Sequence, residues 1–237
     1  MGRRRAKITE ASTARKIREG YGQGFGADYK PFITTYDFPS IGRRHRIRGV
    51  LTSRKHHLLS DLEHCAFMQL EWHPGVEEIR EAVYLDRVRT TAIAKQLNYR
   101  QVGNAAWAMT TDLVATVRTE RGRELWPVFC KLARDFENKR VQEKFEIERL
   151  YWAEEGWTLR HFSEKSIDFN LVNGYSSICS FYDISGRQNP PAHLYEALVT
   201  RWLNELSAPQ DEPVARVCRR IDTEYGMGCP HLSGHSG

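Results

Sequence analysis

The segment AWAMTTDLVATVRTERGRELWPVFCK (residues 106–131) determines the fold class of the chain. Two strand-forming runs, 106–117 and 124–131, lie on either side of the turn-forming segment TERGR. Runs of this kind, separated by a few residues that include glycine, are typical of an antiparallel hairpin. We therefore predict a β-sheet built on this hairpin.

Helices are predicted before and after the hairpin. Residues 60–72 have Ser60 as a helix N-cap and apolar residues at a spacing of three and four, and residues 137–155 form a charged amphipathic pattern. A segment at 76–84 is compatible with a strand or a helix, and a short strand is predicted at 158–162. This order predicts an α/β fold in which a mixed sheet is flanked by helices.

The character of the sequence changes after about residue 165. Asn189-Pro190 is a strong helix start, with Asn as N-cap and Pro in the first turn, and a second helix is predicted at 213–224. The tail GMGCPHLSGHSG lacks a packing pattern and is predicted to be disordered. We therefore predict two domains, an α/β domain over 1–165 and a small helical domain over 166–237.

Composition excludes several classes of protein. Of the 237 residues, 41% are hydrophobic and 27% are charged, which is the range of a folded globular chain rather than of a disordered one. No run approaches the roughly 18 apolar residues of a transmembrane helix. Five cysteines at irregular spacing form no disulfide framework, so we expect reduced thiols in a cytoplasmic protein.

The charge is concentrated at the start of the chain. Residues 1–60 hold 14 Lys and Arg against 4 Asp and Glu, whereas the remaining residues hold 21 against 26. A block of cations without counter-charges indicates a nucleic-acid surface, although a solvated basic face is the alternative. The predicted DNA-binding residues are Arg43, Arg44, Arg46, Arg48, Arg54, Lys55 and His57.

The hairpin brings a carboxylate and a lysine together. If Arg121 and Gly122 are the two central residues of its turn, Asp112 lies directly opposite Lys131, and Phe129 lies opposite Val114. Such a pair fits a metal-dependent phosphodiester nuclease, in which the carboxylate holds Mg²⁺ and the lysine assists water. It equally fits an ordinary cross-strand salt bridge, and geometry alone leaves both interpretations open.

Glu63 is a third candidate, because it lies one turn into the helix that begins at Ser60. Here Ser60-Asp61-Leu62-Glu63 forms a capping box, in which Glu63 would accept from the backbone N–H of Ser60. A carboxylate beside the basic run could instead reach a metal ion at DNA. From the local sequence alone, the capping interpretation is favoured.

The chain resembles the TnsA family, the endonuclease subunits of heteromeric bacterial transposases. The resemblance covers roughly residues 9–165 and continues more weakly to about 225. It rests on segments that follow one another in the family's order and spacing: GYGQGFGADYKPF (20–32), PSIGRRHRIRG (39–49), RKHHLLSDLE (54–63), LEWHPGVEEIRE (70–81), MTTDL (109–113) and EKFEIERLYW (143–152).

The resemblance implies a restriction-endonuclease-like fold with a PD-(D/E)XK-like site. Glu63, Asp112 and Lys131 fall on the family's acidic, acidic and lysine positions, and the implied cofactor is Mg²⁺, with two ions held by Glu63 and Asp112. The C-terminal domain would be winged-helix-like. The implied partners are the DNA of the transposon ends, a TnsB-like transposase and a TnsC-like AAA+ ATPase, with nicking of the non-transferred strand at the 5′ ends.

Phe129 departs from the family pattern, which has Glu or Gln as a metal ligand two residues before the lysine. A phenyl ring cannot bind Mg²⁺, so that coordination position would be filled by a backbone carbonyl, by water or by another carboxylate such as Glu143 or Glu146. If none does, the chain would act as a catalytically weakened adaptor that binds DNA and docks the ATPase. A stand-alone restriction-type nuclease is a third interpretation.

Overall fold

The computed structural model describes residues 9–37, 43–100, 108–178, 192–207 and 212–224. The chain forms two compact units, Met1–Ser180 and Phe181–Gly237. The basic residues before Thr9 and the tail beyond Glu224 lie outside the described residues, so the disorder predicted for the tail stays a prediction. The described helices and strands are α1 (Glu10–Arg18), β1 (His45–Arg48), β2 (Lys55–Leu58), α2 (Asp61–Glu71), β3 (Val76–Tyr84), α3 (Arg87–Gln96), β4 (Thr110–Thr119), β5 (Gly122–Cys130), α4 (Lys139–Glu154), β6 (Arg160–Phe162), α5 (Phe169–Ile178), α6 (Ala192–Leu206) and α7 (Val214–Glu224).

The first unit contains a four-stranded mixed sheet in the order β3-β4-β5-β6. β3, β4 and β5 are antiparallel neighbours, and β6 runs parallel to β5. This confirms the prediction of a mixed sheet flanked by helices, and the arrangement fits a restriction-endonuclease-like fold. A separate two-stranded sheet, formed by β1 and β2, precedes α2.

Both faces of the four-stranded sheet are covered, because successive strand residues point to opposite sides. Leu113 and Ala115 pack with Phe67 of α2 in one apolar cluster. Val114, between them in the chain, packs with Ile147 of α4 in a second cluster. The sheet therefore lies between α2 on one face and α3 and α4 on the other.

The β4–β5 hairpin has a different register from the predicted one. Thr119 pairs with Gly122, so Glu120 and Arg121 occupy the centre of the turn. The Thr119 hydroxyl accepts from the Arg121 backbone N–H at 3.2 Å, and Gly122 takes a φ of +115°, which L-residues rarely adopt. The prediction that Asp112 directly opposes Lys131 is therefore wrong by two residues. Side chains alternate between the two faces of the sheet with a period of two residues. A register shift of two therefore leaves each side chain on the face that was predicted.

The first unit extends past the predicted boundary at 165 because α5 packs on α2. Val172 and Tyr175 of α5 form a small apolar cluster with Met68 of α2. The Tyr175 hydroxyl also donates to the Glu71 carboxylate at the end of α2. The described residues from 166 to 178 thus belong with the sheet rather than with the C-terminal unit.

In the second unit α6 and α7 share an apolar cluster of Leu198, Val217 and Ile221. Its described residues, 192–207 and 212–224, include no strand, so the winged-helix character stays a prediction. Across the described parts of both units, no helix is long and apolar enough to span a membrane.

Candidate functional site: acidic centre and cationic ribbon

Asp112 lies near the start of β4, at the end of the sheet where β5 leads into Lys131. Its Oδ2 atom accepts from the backbone N–H of Cys130 at 2.7 Å. Burial raises the pKa of Asp112, and the positive charges of Lys144 and Lys131 act in the opposite direction. Asp112 and Lys131 are thus electrostatic neighbours, although they are not directly opposed across the ladder. Cys130 points away from them into the apolar cluster beneath α2, as its place in the strand predicts.

Glu63 combines a structural role with an electrostatic one. Its carboxylate accepts from the backbone N–H of Leu59 at 2.8 Å and from the Ser60 hydroxyl at 3.0 Å, so it holds the N-terminal end of α2 through donors other than the Ser60 backbone N–H of the predicted capping box. Burial and the nearby charge of Asp112 together raise the pKa of Glu63 to about 8. A role in capping the helix does not by itself explain why the Asp112 carboxylate lies near Glu63. The structure therefore brings together the two acidic residues that the sequence indicates.

Glu148 of α4 is a third carboxylate at this centre, and the sequence analysis missed it. Its side chain is fully buried, and burial together with Asp112 raises its pKa to about 8 against the opposing charge of Lys144. Oε2 accepts from the Thr111 hydroxyl at 3.2 Å, whereas Oε1 has no hydrogen-bond partner within the described part of the chain.

The sequence did contain a signal for Glu148. Val141, Phe145, Glu148 and Trp152 follow the spacing of three and four that marks one face of a helix. A glutamate within an otherwise apolar stripe must be buried, and a buried carboxylate usually has a specific role.

Glu143 and Glu146, the two replacement ligands suggested from the sequence, do not take the position that Glu148 has at the acidic centre. Glu143 forms an ion pair with Arg140 at 2.8 Å, and Glu146 forms one with Arg149 at 2.6 Å. Both carboxylates are therefore engaged along the helix surface.

Two lysines act on these carboxylates. Lys131 follows β5, and its backbone N–H donates to the Phe162 carbonyl at 2.9 Å, which fixes the start of the segment after the strand. Lys144 projects from α4, with its Nζ atom 3.9 Å from Glu148 Oε1 and 5.7 Å from the centre of the Phe129 ring. The centre thus combines three carboxylates with two ammonium groups.

Phe129 is part of the core rather than an exposed replacement for a ligand. Its ring is 3% exposed and meets Phe145 edge-on at 5.4 Å and Phe136 at 6.5 Å. The Phe129 side chain is therefore part of the apolar core next to Lys144.

The donor chemistry of the centre fits a hard divalent cation, since all of its ligating atoms are carboxylate oxygens. Among the side chains that the structure describes, no three His, Cys, Asp or Glu residues are grouped closely enough to enclose a metal ion by themselves. This is compatible with Mg²⁺, which is commonly held by one or two carboxylates and completes its shell with water and substrate phosphate. The unpaired Oε1 of Glu148 is an additional acceptor at this position.

The β1–β2 ribbon carries a cationic face. Arg46 pairs with His57 across the ribbon, and Arg48 pairs with Lys55. Arg46, Arg48 and Lys55 are exposed, whereas alternate residues such as His56 point inward. Partial burial lowers the pKa of His57, so it adds little charge at pH 7. Like charges directly opposite each other destabilise a ladder, and a bound polyanion would relieve this repulsion.

Two further predicted DNA contacts flank the ribbon. Arg43 is exposed and pairs with Asp61 at 3.0 Å, and Arg44 is exposed and donates to the Thr35 carbonyl. An exposed ion pair contributes little to stability, so Arg43 can exchange Asp61 for phosphate at low cost.

Arg54 is the exception among the predicted DNA-binding residues. Its side chain is 8% exposed and binds Glu81 through two bonds of 2.9 and 2.6 Å. Burial alone would raise the pKa of Glu81, but hydrogen bonds from His56 and Arg54 lower it to about 2. Arg54 therefore fastens the ribbon to β3, which argues against a DNA contact by its guanidinium, and its predicted role in DNA binding stays a prediction.

Comparison with known proteins agrees with this geometry. Residues 73–164 match the family described as TnsA-like endonuclease N terminal, a segment that includes Asp112, Lys131 and Glu148. The chain is also 31% identical over 235 residues to the transposon Tn7 transposition protein TnsA of Escherichia coli, covering 96% of this chain and 82% of that relative. An identity of this level over nearly the whole chain establishes that the protein belongs to the TnsA family.

Proposed function

We propose that the chain is a Mg²⁺-dependent DNA endonuclease, acting as the subunit of a heteromeric transposase that nicks the non-transferred strand at the 5′ transposon ends. The observation that carries the proposal is the convergence of Glu63, Asp112 and Glu148 with Lys131 and Lys144 at one end of the sheet. Burial raises the pKa of all three carboxylates, and Asp112 adds to the rise at Glu63 and Glu148; buried groups perturbed in this way are candidates for a functional site.

Each side chain has a distinct task in this proposal. Glu63 and Asp112 would hold Mg²⁺, in a site for which the family resemblance implies two ions, and Glu148 would supply the carboxylate that is missing at Phe129. When bound, Mg²⁺ lowers the pKa of water and polarises the phosphate. Lys131 orients the attacking water and offsets the charge that develops on the phosphate. Lys144 keeps positive charge beside Glu148, at a distance of 3.9 Å.

The cationic ribbon supplies the DNA contact. Arg46, Arg48 and Lys55 would track the phosphates of the transposon end, and Arg43 and Arg44 would extend this surface. β2 leads from the ribbon to Leu59, whose backbone N–H donates to Glu63 at 2.8 Å. DNA held on the ribbon is thereby directed toward the acidic centre.

The partners follow from the family. We propose that a TnsB-like transposase cuts and joins the 3′ ends, and that a TnsC-like AAA+ ATPase contacts the C-terminal unit. A stand-alone nuclease would need neither protein, so dependence on partners separates that interpretation from ours.

The experiment is strand-specific nicking of an end duplex with Mg²⁺, with and without the TnsB-like transposase. Wild-type protein should cut the non-transferred strand in the complete mixture, and Asp112→Ala should reduce nicking by orders of magnitude while DNA binding persists. Glu146→Gln is the matched control, since that carboxylate pairs with Arg149 on the helix surface. Equal nicking by wild type and Asp112→Ala would remove the activity from this centre.

Phe129 favours a second candidate function, a DNA-binding adaptor with weakened catalysis. An adaptor would bind DNA and the ATPase without Mg²⁺-dependent nicking of either strand. In that case Asp112→Ala would leave assembly and transposition unchanged, whereas loss of the ribbon cations would abolish both.

A further inference from the structure

An exposed aromatic residue, Tyr36, stands beside the cationic ribbon on a rigid turn. Its side chain is 69% exposed. The Thr34 backbone N–H and hydroxyl donate to Asp37 at 2.7 and 2.8 Å, and Asp37 also pairs with Lys16 at 3.0 Å. These bonds close the backbone turn that carries Tyr36.

The ring of Tyr36 is supported from behind. The Arg46 guanidinium lies over the ring at 5.2 Å from its centre and donates to the Tyr36 hydroxyl. His57 meets the ring edge-on at 5.7 Å. With Arg46 over one face and an exposure of 69%, the opposite face remains accessible. A cation behind an aromatic ring leaves it able to stack on a further flat group.

A small cavity adjoins the ring. It has a volume of about 260 Å³ and is lined by Thr35, Tyr36, Arg44 and Arg46. The aromatic face can stack on a base, and the two neighbouring guanidinium groups can bind a phosphate. This chemistry matches a single nucleotide rather than an apolar peptide.

The cavity lies close to the acidic centre along the chain. Thr35 contacts the His57 ring through its hydroxyl at 3.0 Å, and Leu59, two residues after His57, donates to Glu63. Two residues of extended chain span about 7 Å, so His57, which contacts the cavity residue Thr35, and Leu59, which contacts Glu63, have Cα atoms at most about that far apart. A nucleotide bound at Tyr36 would therefore be near the phosphate to be cut.

We propose that Tyr36, supported by Arg46, stacks on an unpaired base beside the cut site and holds that strand away from the duplex. The proposal rests on the proposed function, because it requires that the ribbon bind DNA. Stacking needs a base with an open face, which an unpaired nucleotide presents and a paired one inside a duplex does not. Because every base has such a face, the contact would select structure rather than sequence.

The test uses the full chain and two probes, a duplex with one unpaired 2-aminopurine and the same duplex with that base paired. Binding and fluorescence are measured with and without the TnsB-like transposase. Wild type and Tyr36→Phe should prefer the unpaired probe and quench its fluorescence. Tyr36→Ala should weaken binding of the unpaired probe by about 5- to 150-fold and leave the paired probe unchanged.

Phe25→Ala is the matched control. Phe25 is 66% exposed, and Arg80 lies over its ring at 4.3 Å, so it is a second exposed aromatic ring backed by an arginine, outside the lining of the Tyr36 cavity. The Phe25→Ala variant should bind both probes as the wild type does.

The outcomes separate the two proposals. If Tyr36→Ala keeps the preference for the unpaired probe, or weakens both probes equally, stacking is refuted while DNA binding stands. If Tyr36→Ala binds both probes normally but loses the transposase, the surface is a protein contact instead. If wild type binds neither probe under either condition, the proposed DNA function fails, and stacking fails with it.

Discussion

Substitution of Glu148 by glutamine should change the stability of the metal-free protein in a strongly pH-dependent way. Burial and Asp112 raise the pKa of Glu148 from an ordinary 4.5 to about 8. A carboxyl group whose pKa is higher in the folded protein than in the unfolded chain stabilises the fold at pH values below its unfolded pKa. That contribution is lost as the pH rises toward the folded pKa of about 8. At about 1.4 kcal/mol per pH unit, the wild type loses about 5 kcal/mol over this window from Glu148 alone.

Glutamine cannot ionise, so Glu148→Gln removes this loss. It also places an amide nitrogen where Oε1 has no hydrogen-bond partner in the described part of the chain, which costs about 1–3 kcal/mol at every pH. We expect the variant to be less stable than wild type near pH 4.5 and more stable near pH 8. The difference between the two pH values, about 5 kcal/mol, is independent of the amide cost.

The assay is urea unfolding of both proteins across this pH range in the presence of a chelator. Glu146→Gln is the control, because hydrogen bonds from Arg149 hold the pKa of that carboxyl below its ordinary value. Its stability should run parallel to that of wild type between pH 5 and pH 8. If the curves of Glu148→Gln and wild type are also parallel, Glu148 is ionised in the native protein and our account of the acidic centre is wrong.

Three further predictions concern the same site and the ribbon. Glu63→Gln should unfold like wild type near pH 4.5, since the amide oxygen can still accept from Leu59, and should be the more stable protein near pH 8, where the wild-type carboxyl loses its contribution. It should also lower Mg²⁺-dependent nicking by orders of magnitude; wild-type nicking would make Glu63 a cap only. Phe129→Gln should lower the free energy of unfolding in urea by about 2–5 kcal/mol and should not increase nicking, because it buries an amide in an aromatic cluster. Arg46→Ala combined with Arg48→Ala should reduce the slope of log affinity against log salt by about 2 in fluorescence anisotropy; an unchanged slope would place the DNA elsewhere.

Most of the fold could be predicted from local patterns. Ser60 does cap α2, through a hydrogen bond from the Glu63 backbone N–H at 3.1 Å, and the strands around TERGR do form a hairpin. The register was not predictable in the same way, because it depends on which two residues occupy the turn. The Thr119 hydroxyl donates to the Gly122 carbonyl and accepts from the Arg121 backbone N–H, and these contacts favour the observed turn. The hydrophobic periodicity of the strands gives no information about them.

The site was predictable where neighbours in sequence are neighbours in space. Asp112 and Lys131 lie on adjoining strands of one hairpin, and Glu63 falls in a segment with a family pattern. Glu148 comes from α4, and only the packing of that helix on the sheet brings it to Asp112. The ion pair of Arg54 was not predictable for a related reason, since its partner Glu81 lies 27 positions along the chain.

Two buried glutamates illustrate how their surroundings separate a structural carboxylate from a functional one. Glu81 accepts from Arg54, His56 and the His57 backbone N–H, and these donors lower its pKa to about 2 despite burial. Glu148 is equally buried, yet among the described residues it accepts one hydrogen bond, from a neutral hydroxyl, and its Oε1 atom has only the Lys144 ammonium at 3.9 Å, so that its pKa rises to about 8. A carboxylate with a full set of donors gains nothing from a further cation. A carboxylate that lacks them, beside another acid, would gain strongly from one, and this asymmetry supports placing Mg²⁺ at Glu148 and Asp112 rather than at the Glu81 network.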